Sequence, residues 1–463
     1  MGMYNRHRPP EKLIRRPLSS TRRVPPPSRP VRLIPQRRVL FSQMGLILVF
    51  AVLMLVRACH NPPVRSSLWQ SSIPVGDMLR QQEAPTALAR LPTTTPWLAT
   101  KTATTPLHGV TMAATMQPQP TGVPDTLVVQ PNRPVPPIGL SSIIDAYMQD
   151  QVAANLFSGA ILVTHHDKVL ISKGYGMADW ENQVAHTPQT RMRLASLTKP
   201  FTAVAILMLH ARGQLSIHDS ICRYMSDCPT HWEPVTIRHL LNHTGGIPNY
   251  TDFADFEQTE MLQTTRGNLI DRFKHLPLLF EPGALYSYSN SGYVLLGLII
   301  ERVSGQPYEI FLQSNIFVPL HMVNTGYDHN REGIQPGQAL GYTSIGTLAP
   351  FIDSSTLDAA GGLYSTVEDL YRWDQALYTE QLLPATLRDE MFTPDLNGYG
   401  YGWRISGHYG RRTVSHTGMI NGFSNYMVRY PDERLTIITL SNLQSASPWD
   451  ISLYLAQLVL EMQ

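Results

Sequence analysis

Twenty-two of the 37 prolines lie in residues 1–140, and 25 of the 31 glycines lie after them. Proline fixes φ and removes a backbone donor, so a segment dense in it and poor in apolar periodicity cannot offset the entropy of ordering. The folded part of the chain is therefore expected after residue 140. Charge divides at the same place: residues 1–38 carry eleven Lys/Arg against one acidic residue, whereas residues 141–463 carry 20 basic and 31 acidic residues. The stretch beyond residue 140 is long enough for one large domain with a substantial core. With 43% hydrophobic residues and a net charge of only +2 over the whole chain, a wholly disordered or nucleic-acid-coating protein is excluded.

The basic tail alone would suit a nucleic-acid arm, but it runs into an apolar stretch, residues 39–56, broken only by Ser42 and Gln43. A helix of that length spans about 27 Å, close to a bilayer core. Basic residues before it and almost none after it predict a cytoplasmic N-terminus. The expected organisation is a basic, Pro-rich cytoplasmic tail (1–38), a single-pass signal-anchor helix (39–57), a Pro/Thr-rich linker (58–138) and an extracytoplasmic domain (139–463). The competing reading is cleavage at the lipoprotein-like Val56-Arg57-Ala58-Cys59. Arg57 fits that pattern badly, and the basic lead is long for a signal peptide.

Within the domain, residues 141–155 have the apolar stripe of a helix, and 159–164 and 169–172 read as strands joined by a polar turn. Strand-like runs at 412–415, 423–430 and 435–441 precede a closing helix over 449–462. Helical stretches at 201–211, 293–303 and 367–377 lie between. Strands at both ends with helices in the middle predict an α+β domain whose antiparallel sheet is built from both termini.

Three short elements carry chemistry. In Ser196-Leu197-Thr198-Lys199, residues three apart share one helix face. Serine is a weak nucleophile without a base beside it. A lysine can be that base if it is neutral at the working pH, which requires its pKa to fall by about three, roughly 4 kcal/mol. Burial and a helix N-terminus both push that way. Pro200 and the uncharged run behind it place Ser196 at the start of a buried helix. In Tyr288-Ser289-Asn290, a phenol and a carboxamide two apart in an extended segment would face one pocket. In His416-Thr417-Gly418, glycine on a strand marks close backbone approach by a ligand. A second copy, His243-Thr244-Gly245, follows a helical stretch directly and reads as a helix stop. Cys222 and Cys228 are close enough in sequence for a small disulfide loop, with two free core thiols as the alternative. No metal cluster or phosphate-binding glycine loop appears, and no cofactor is expected.

Together and in this order, the three elements resemble the penicillin-recognising serine hydrolases, the family of class C β-lactamases, D-Ala-D-Ala peptidases, D-aminopeptidases and related esterases. The resemblance runs over about residues 138–463 and includes segments 240–247, 360–370 and 399–403. It implies a β-lactamase/transpeptidase-like fold. It implies that Ser196 is acylated, that Lys199 and Tyr288 share the general-base role, and that Asn290 contacts the acyl-side amide. It further implies an oxyanion hole from the N–H groups of Ser196 and Met419, and substrate contacts from His416, Thr417 and Gly418. His416 departs from the lysine that β-lactamases carry there, which weakens the case for carboxylate recognition and β-lactam turnover. The resulting expectation is a membrane-tethered serine hydrolase acting on a small-molecule or peptide substrate, D-amino-acid peptides or esters ahead of β-lactams. The alternatives are a β-lactamase and a non-catalytic binding module. A membrane-spanning sensor would need a cytoplasmic output domain, and residues 1–38 offer none.

Overall fold

The structure, a computed structural model, describes residues 139–329 and 337–462. The expected tail, anchor and linker lie outside the described residues. Among those described, no helix is long and apolar enough to cross a membrane.

Both ends of the domain build one antiparallel sheet. Helix α1 (Leu140–Ala153) leads into strands β1 (Gly159–His165) and β2 (Lys168–Tyr175), joined through His166 and Asp167, both with positive φ. The remaining strands come from the other end of the chain: β3 (Arg404–His408), β4 (Arg411–Ile420), β5 (Phe423–Tyr430) and β6 (Leu435–Ser441). Their order is β3-β4-β5-β6-β1-β2, closed by pairing of β6 with β1 in the register Gly159↔Ser441 to His165↔Leu435.

Alternation along these strands feeds two cores. Ile161, Val163 and Ile437 pack with Ile144 and Met148 of α1 and with Leu455 and Val459 of the closing helix α5 (Pro448–Glu461). Their neighbours Ala160, Leu162 and Ile438 face the opposite layer, built on α2 (Lys199–Ala211), α3 (Asn290–Ser304) and α4 (Val367–Ala376). Because side chains alternate with a period of two, a sheet covered on both faces buries both sets: every residue of β5 and β6 is buried, and the charged Arg429 among them is paired with Asp374. Helix α2 has no amphipathic face either: Lys199 to Leu209 are all buried, the pattern of a helix surrounded by protein.

The sequence reading placed the sheet, the closing helix and the three central helices, with one difference. It did not anticipate β3, a short edge strand. The strand-like run 412–415 and the strand expected to carry His416-Thr417-Gly418 are one strand, β4, which continues to Ile420. His416, Thr417 and Gly418 therefore lie inside a paired strand, opposite Met427, Tyr426 and Asn425 of β5.

Candidate active site

Ser196 sits in a 3-10 turn, Ala195–Thr198, that runs directly into α2 at Lys199. At three residues per turn, side chains i and i+3 eclipse one another, which brings Ser196 over Lys199. The turn is held from several sides. The Leu194 N–H donates to the Leu363 carbonyl at 2.8 Å, the Leu363 N–H donates to Thr198 Oγ1 at 3.2 Å, and Asn425 Nδ2 donates to the Arg193 carbonyl at 2.9 Å. These bonds keep Ala195 at φ 50°, a left-handed conformation that costs a non-glycine residue about 1–2 kcal/mol.

Lys199 is fully buried. Its Nζ lies 3.1 Å from Ser196 Oγ, 2.7 Å from Asn290 Oδ1 and 2.9 Å from the Ala360 carbonyl oxygen. Burial holds its pKa well below the ordinary lysine value. The partners match a neutral amine. A carboxamide oxygen and a backbone carbonyl can only accept, so they take both amine hydrogens and leave the lone pair directed at Ser196 Oγ. Once protonated, the same nitrogen has three donors for three acceptors. The Ala360 carbonyl is fixed in turn by a neighbouring strained residue. Asp358, at φ 44°, is gripped by Arg266 through Nε–Oδ2 and Nη2–Oδ1 contacts of 2.7 Å each.

Tyr288 donates its hydroxyl to Ser196 Oγ at 2.9 Å. Burial pushes this phenol upward, so it stays protonated at neutral pH and serves as a donor. Its loop is stitched to the segment after the short helix Ile237–Leu241. The Ser287 N–H donates to the His243 carbonyl at 2.9 Å, the Ser289 N–H to His243 Nδ1 at 3.2 Å, and Ser291 Oγ to the Pro248 carbonyl at 2.6 Å. Ser289 caps α3 by accepting from the Gly292 N–H. Asn290 is the first residue of α3 and is engaged at both ends of its amide, since Nδ2 donates to Thr251 Oγ1 at 3.0 Å. It thus holds Lys199, a task beyond the substrate contact expected of it. His243, read from sequence as a helix stop, also packs its ring 4.3 Å from that of Tyr288.

Strand β4 passes beside the Ser196 turn. A Cβ on Gly418 would lie 2.1 Å from the Leu194 carbonyl oxygen and 3.2 Å from the Leu197 nitrogen. The close approach that glycine permits is therefore to the protein's own turn rather than to a ligand. It brings the backbone at Met419 alongside Ser196. His416 carries the doubt about carboxylate recognition further. Its Nδ1 faces the Thr417 carbonyl at 2.6 Å, so Nδ1 carries the hydrogen and Nε2, 2.7 Å from the Tyr399 hydroxyl, accepts. Burial, reinforced by the nearby Lys199 charge, holds its pKa down at about 3. His416 is a neutral wall residue with both nitrogens engaged, and it supplies no cation.

The cation at this place is Arg404 of β3, a residue the sequence reading did not single out. It lines a cavity of about 400 Å³ together with Ser196, Tyr286, Tyr288, Tyr399 and Thr417. A second cavity of about 290 Å³, reached from the other side of Ser196, is bounded by Asn290, Thr251, Ala360, Met419 and Glu260. Cys222 and Cys228 are joined as a disulfide with Cα atoms 5.2 Å apart, remote in sequence from the elements of the site. Among the described residues no group of three His, Cys, Asp or Glu is placed to hold a metal ion.

Comparison with known proteins identifies the family and the fold. Penicillin-binding protein 4* of Bacillus subtilis (strain 168) is 32% identical over 321 residues, which cover 64% of this chain and 70% of that protein. The octameric penicillin-binding protein homologue from Pyrococcus abyssi superimposes with a TM-score of 0.63 at 28% identity, covering 69% of this chain and 77% of that one. The D-amino acid amidase from Ochrobactrum anthropi SV3 shares the fold, with a TM-score of 0.62 at 24% identity over 70% of this chain and 99% of its own. The β-lactamase family model matches residues 140–460, and the chain belongs to that family of serine β-lactamase and penicillin-binding-protein-fold hydrolases.

Proposed function

We propose that the chain is a serine acyl hydrolase that forms an acyl-enzyme on Ser196, with Lys199 as the base and Tyr288 as the proton donor. The observation that carries this reading is the arrangement at Ser196 Oγ: a buried amine with both its hydrogens engaged elsewhere on one side, and a phenol hydroxyl on the other. In acylation the Ser196 proton moves to Lys199 Nζ as Oγ bonds to the substrate carbonyl carbon. The N–H groups of Ser196 and Met419 receive the developing oxyanion. Collapse breaks the bond to the leaving group, which takes the Tyr288 proton. The proton held by Lys199 then neutralises the adjacent Tyr288 phenolate, which resets both groups. Water then attacks the ester by the same steps in reverse and frees Ser196.

Tyr288 lines the Arg404 cavity, so the leaving group departs there and the acyl half stays on the Asn290 side. Arg404 has no described carboxylate partner, and its guanidinium together with the Thr417 hydroxyl suits a leaving group that carries a carboxylate. That favours substrates whose leaving half ends in a free carboxyl, and we read D-amino-acid peptides or esters ahead of β-lactams. Residues 39–57 would anchor the enzyme in a membrane, with residues 58–138 as a tether and the domain on the extracytoplasmic side.

Intact mass after exposure to a fluorophosphonate tests the core of this reading. One adduct on the full-length chain, absent from Ser196→Ala, is expected. No adduct on a folded wild-type protein would instead mark a non-catalytic binding module.

A further inference from the structure

The two cavities that meet at Ser196 carry opposite charge. Arg404 faces the leaving-group side. On the acyl side, Glu260 is the one charged side chain among the described lining residues, set among apolar neighbours such as Phe256, Ile352 and Leu357.

Glu260 is held in place from both its backbone and its side chain. Its carbonyl accepts from the Asp353 N–H at 2.8 Å. Asn421 Nδ2 donates to Oε1 at 2.7 Å, and no described residue bonds Oε2. Asn421 lies two residues after Met419, so the chain that carries the expected oxyanion donor also orients this carboxylate. A half-buried carboxylate with one oxygen open to the cavity and no described ion pair loses more solvation when a neutral ligand fills that cavity. A ligand that brings its own cation reverses that penalty through a charge-assisted hydrogen bond.

We infer that Glu260, oriented by Asn421, receives the free α-ammonium group of the substrate's acyl residue. The inference rests on the reading of Ser196 as an acylated nucleophile, because that reading decides which half of the substrate remains on this side. Paired with Arg404 across the serine, Glu260 makes the site dipolar. It fits a short peptide with both ends free, and at the Glu260 end it favours a free amine over the same compound with a blocked amine.

The test compares D-phenylalaninamide with N-acetyl-D-phenylalaninamide on the full-length Ser196→Ala protein, where neither is consumed. Calorimetry is expected to show the free amine binding at least about tenfold tighter, roughly 1.4 kcal/mol. In Ser196→Ala combined with Glu260→Gln, which keeps the acceptor for Asn421, the ratio should fall toward one. Equal or tighter binding of the acetylated compound, no binding of the amine, or a preference that survives Glu260→Gln would each overturn the assignment. The comparison between ligands needs no change at Glu260, so it stands even if the double variant fails to fold. Failure of the underlying reading shows separately, as loss of the fluorophosphonate adduct on the wild-type chain.

Discussion

The tripeptide His-Thr-Gly occurs twice, at residues 243–245 and 416–418, and both copies border Tyr288. The first follows a five-residue helix, with His243 at φ 61°. The second lies within β4. In the first, the threonine hydroxyl turns inward and donates to Asn242 Oδ1 at 2.7 Å, while the histidine braces the loop bearing Tyr288. In the second, the threonine faces the cavity and the glycine lets the strand touch the turn under Ser196. Identical side chains thus do different work because the backbone aims them differently. The three residue types alone do not specify a substrate contact.

The glycines should separate the copies most strongly. At Gly418 an added Cβ would meet backbone at 2.1 Å, and neither the strand nor the turn can move without displacing Ser196. Gly418→Ala is expected to slow fluorophosphonate labelling of Ser196 by about 100-fold, the scale of an ångström-level misplacement of a reacting group. A loss of about 1–3 kcal/mol in stability from overpacking should accompany it. At Gly245 the nearest atoms are the flexible ends of Val235 and Leu240 at 3.3 and 3.4 Å. Gly245→Ala should cost under about 1 kcal/mol and change labelling less than about twofold. Similar labelling rates in the two variants would mean that β4 does not position the serine.

The histidines differ in partners but share a charge state, and pH exposes it. Burial holds His416 at about 3 and His243 well below the ordinary histidine value. His186, buried against Asn442, is lowered to about 4. Below about pH 6.5 the unfolded chain binds protons that the folded one refuses. The stabilisation from these groups is therefore complete above that pH and lost progressively as pH falls toward the folded-state values. Each such histidine contributes a slope of up to about 1.4 kcal/mol per pH unit. Urea unfolding at pH 7, 6, 5 and 4 should show stability falling steadily, and His416→Gln or His243→Gln should each remove about one proton from the slope. A variant whose slope matches the wild type would show that its histidine is charged in the folded protein.

Much of this site was legible before any coordinates. Ser196, Lys199 and Tyr288 were marked by spacing, by the uncharged helix behind them and by their order along the chain. The sheet followed from alternation at both ends. What stayed hidden depends on contacts between distant segments. The Ala360 carbonyl that engages Lys199 has no side-chain signature, and Asp358 and Arg266, which fix it, are 92 residues apart. Arg404 sits on an edge strand of five residues, too short for a clear periodic signal. His416, in place of a lysine, already weakened the case for carboxylate recognition, but its residue type alone left its partners open. Only its burial and the Tyr399 hydroxyl reveal that it is neutral and already engaged. The same limit applied to Gly418, where the approach was inferred correctly but its partner was not.

The threonines offer the smallest contrast, and the one that isolates function from support. Thr417→Val removes a hydroxyl from the wall shared with Ser196 and Arg404. It should lower kcat/KM for a carboxylate-bearing substrate by about tenfold, the loss of one hydrogen bond to a charged group, with stability nearly unchanged. Thr244→Val removes a buried bond to Asn242 and strands that amide oxygen, because no other described donor reaches it. It should cost about 1–2 kcal/mol of stability while leaving kcat/KM within about twofold. The test is to measure both quantities in both variants. If Thr417→Val lowers stability and spares turnover while Thr244→Val does the reverse, the division between the two copies is wrong. The first His-Thr-Gly would then be the one that meets the substrate.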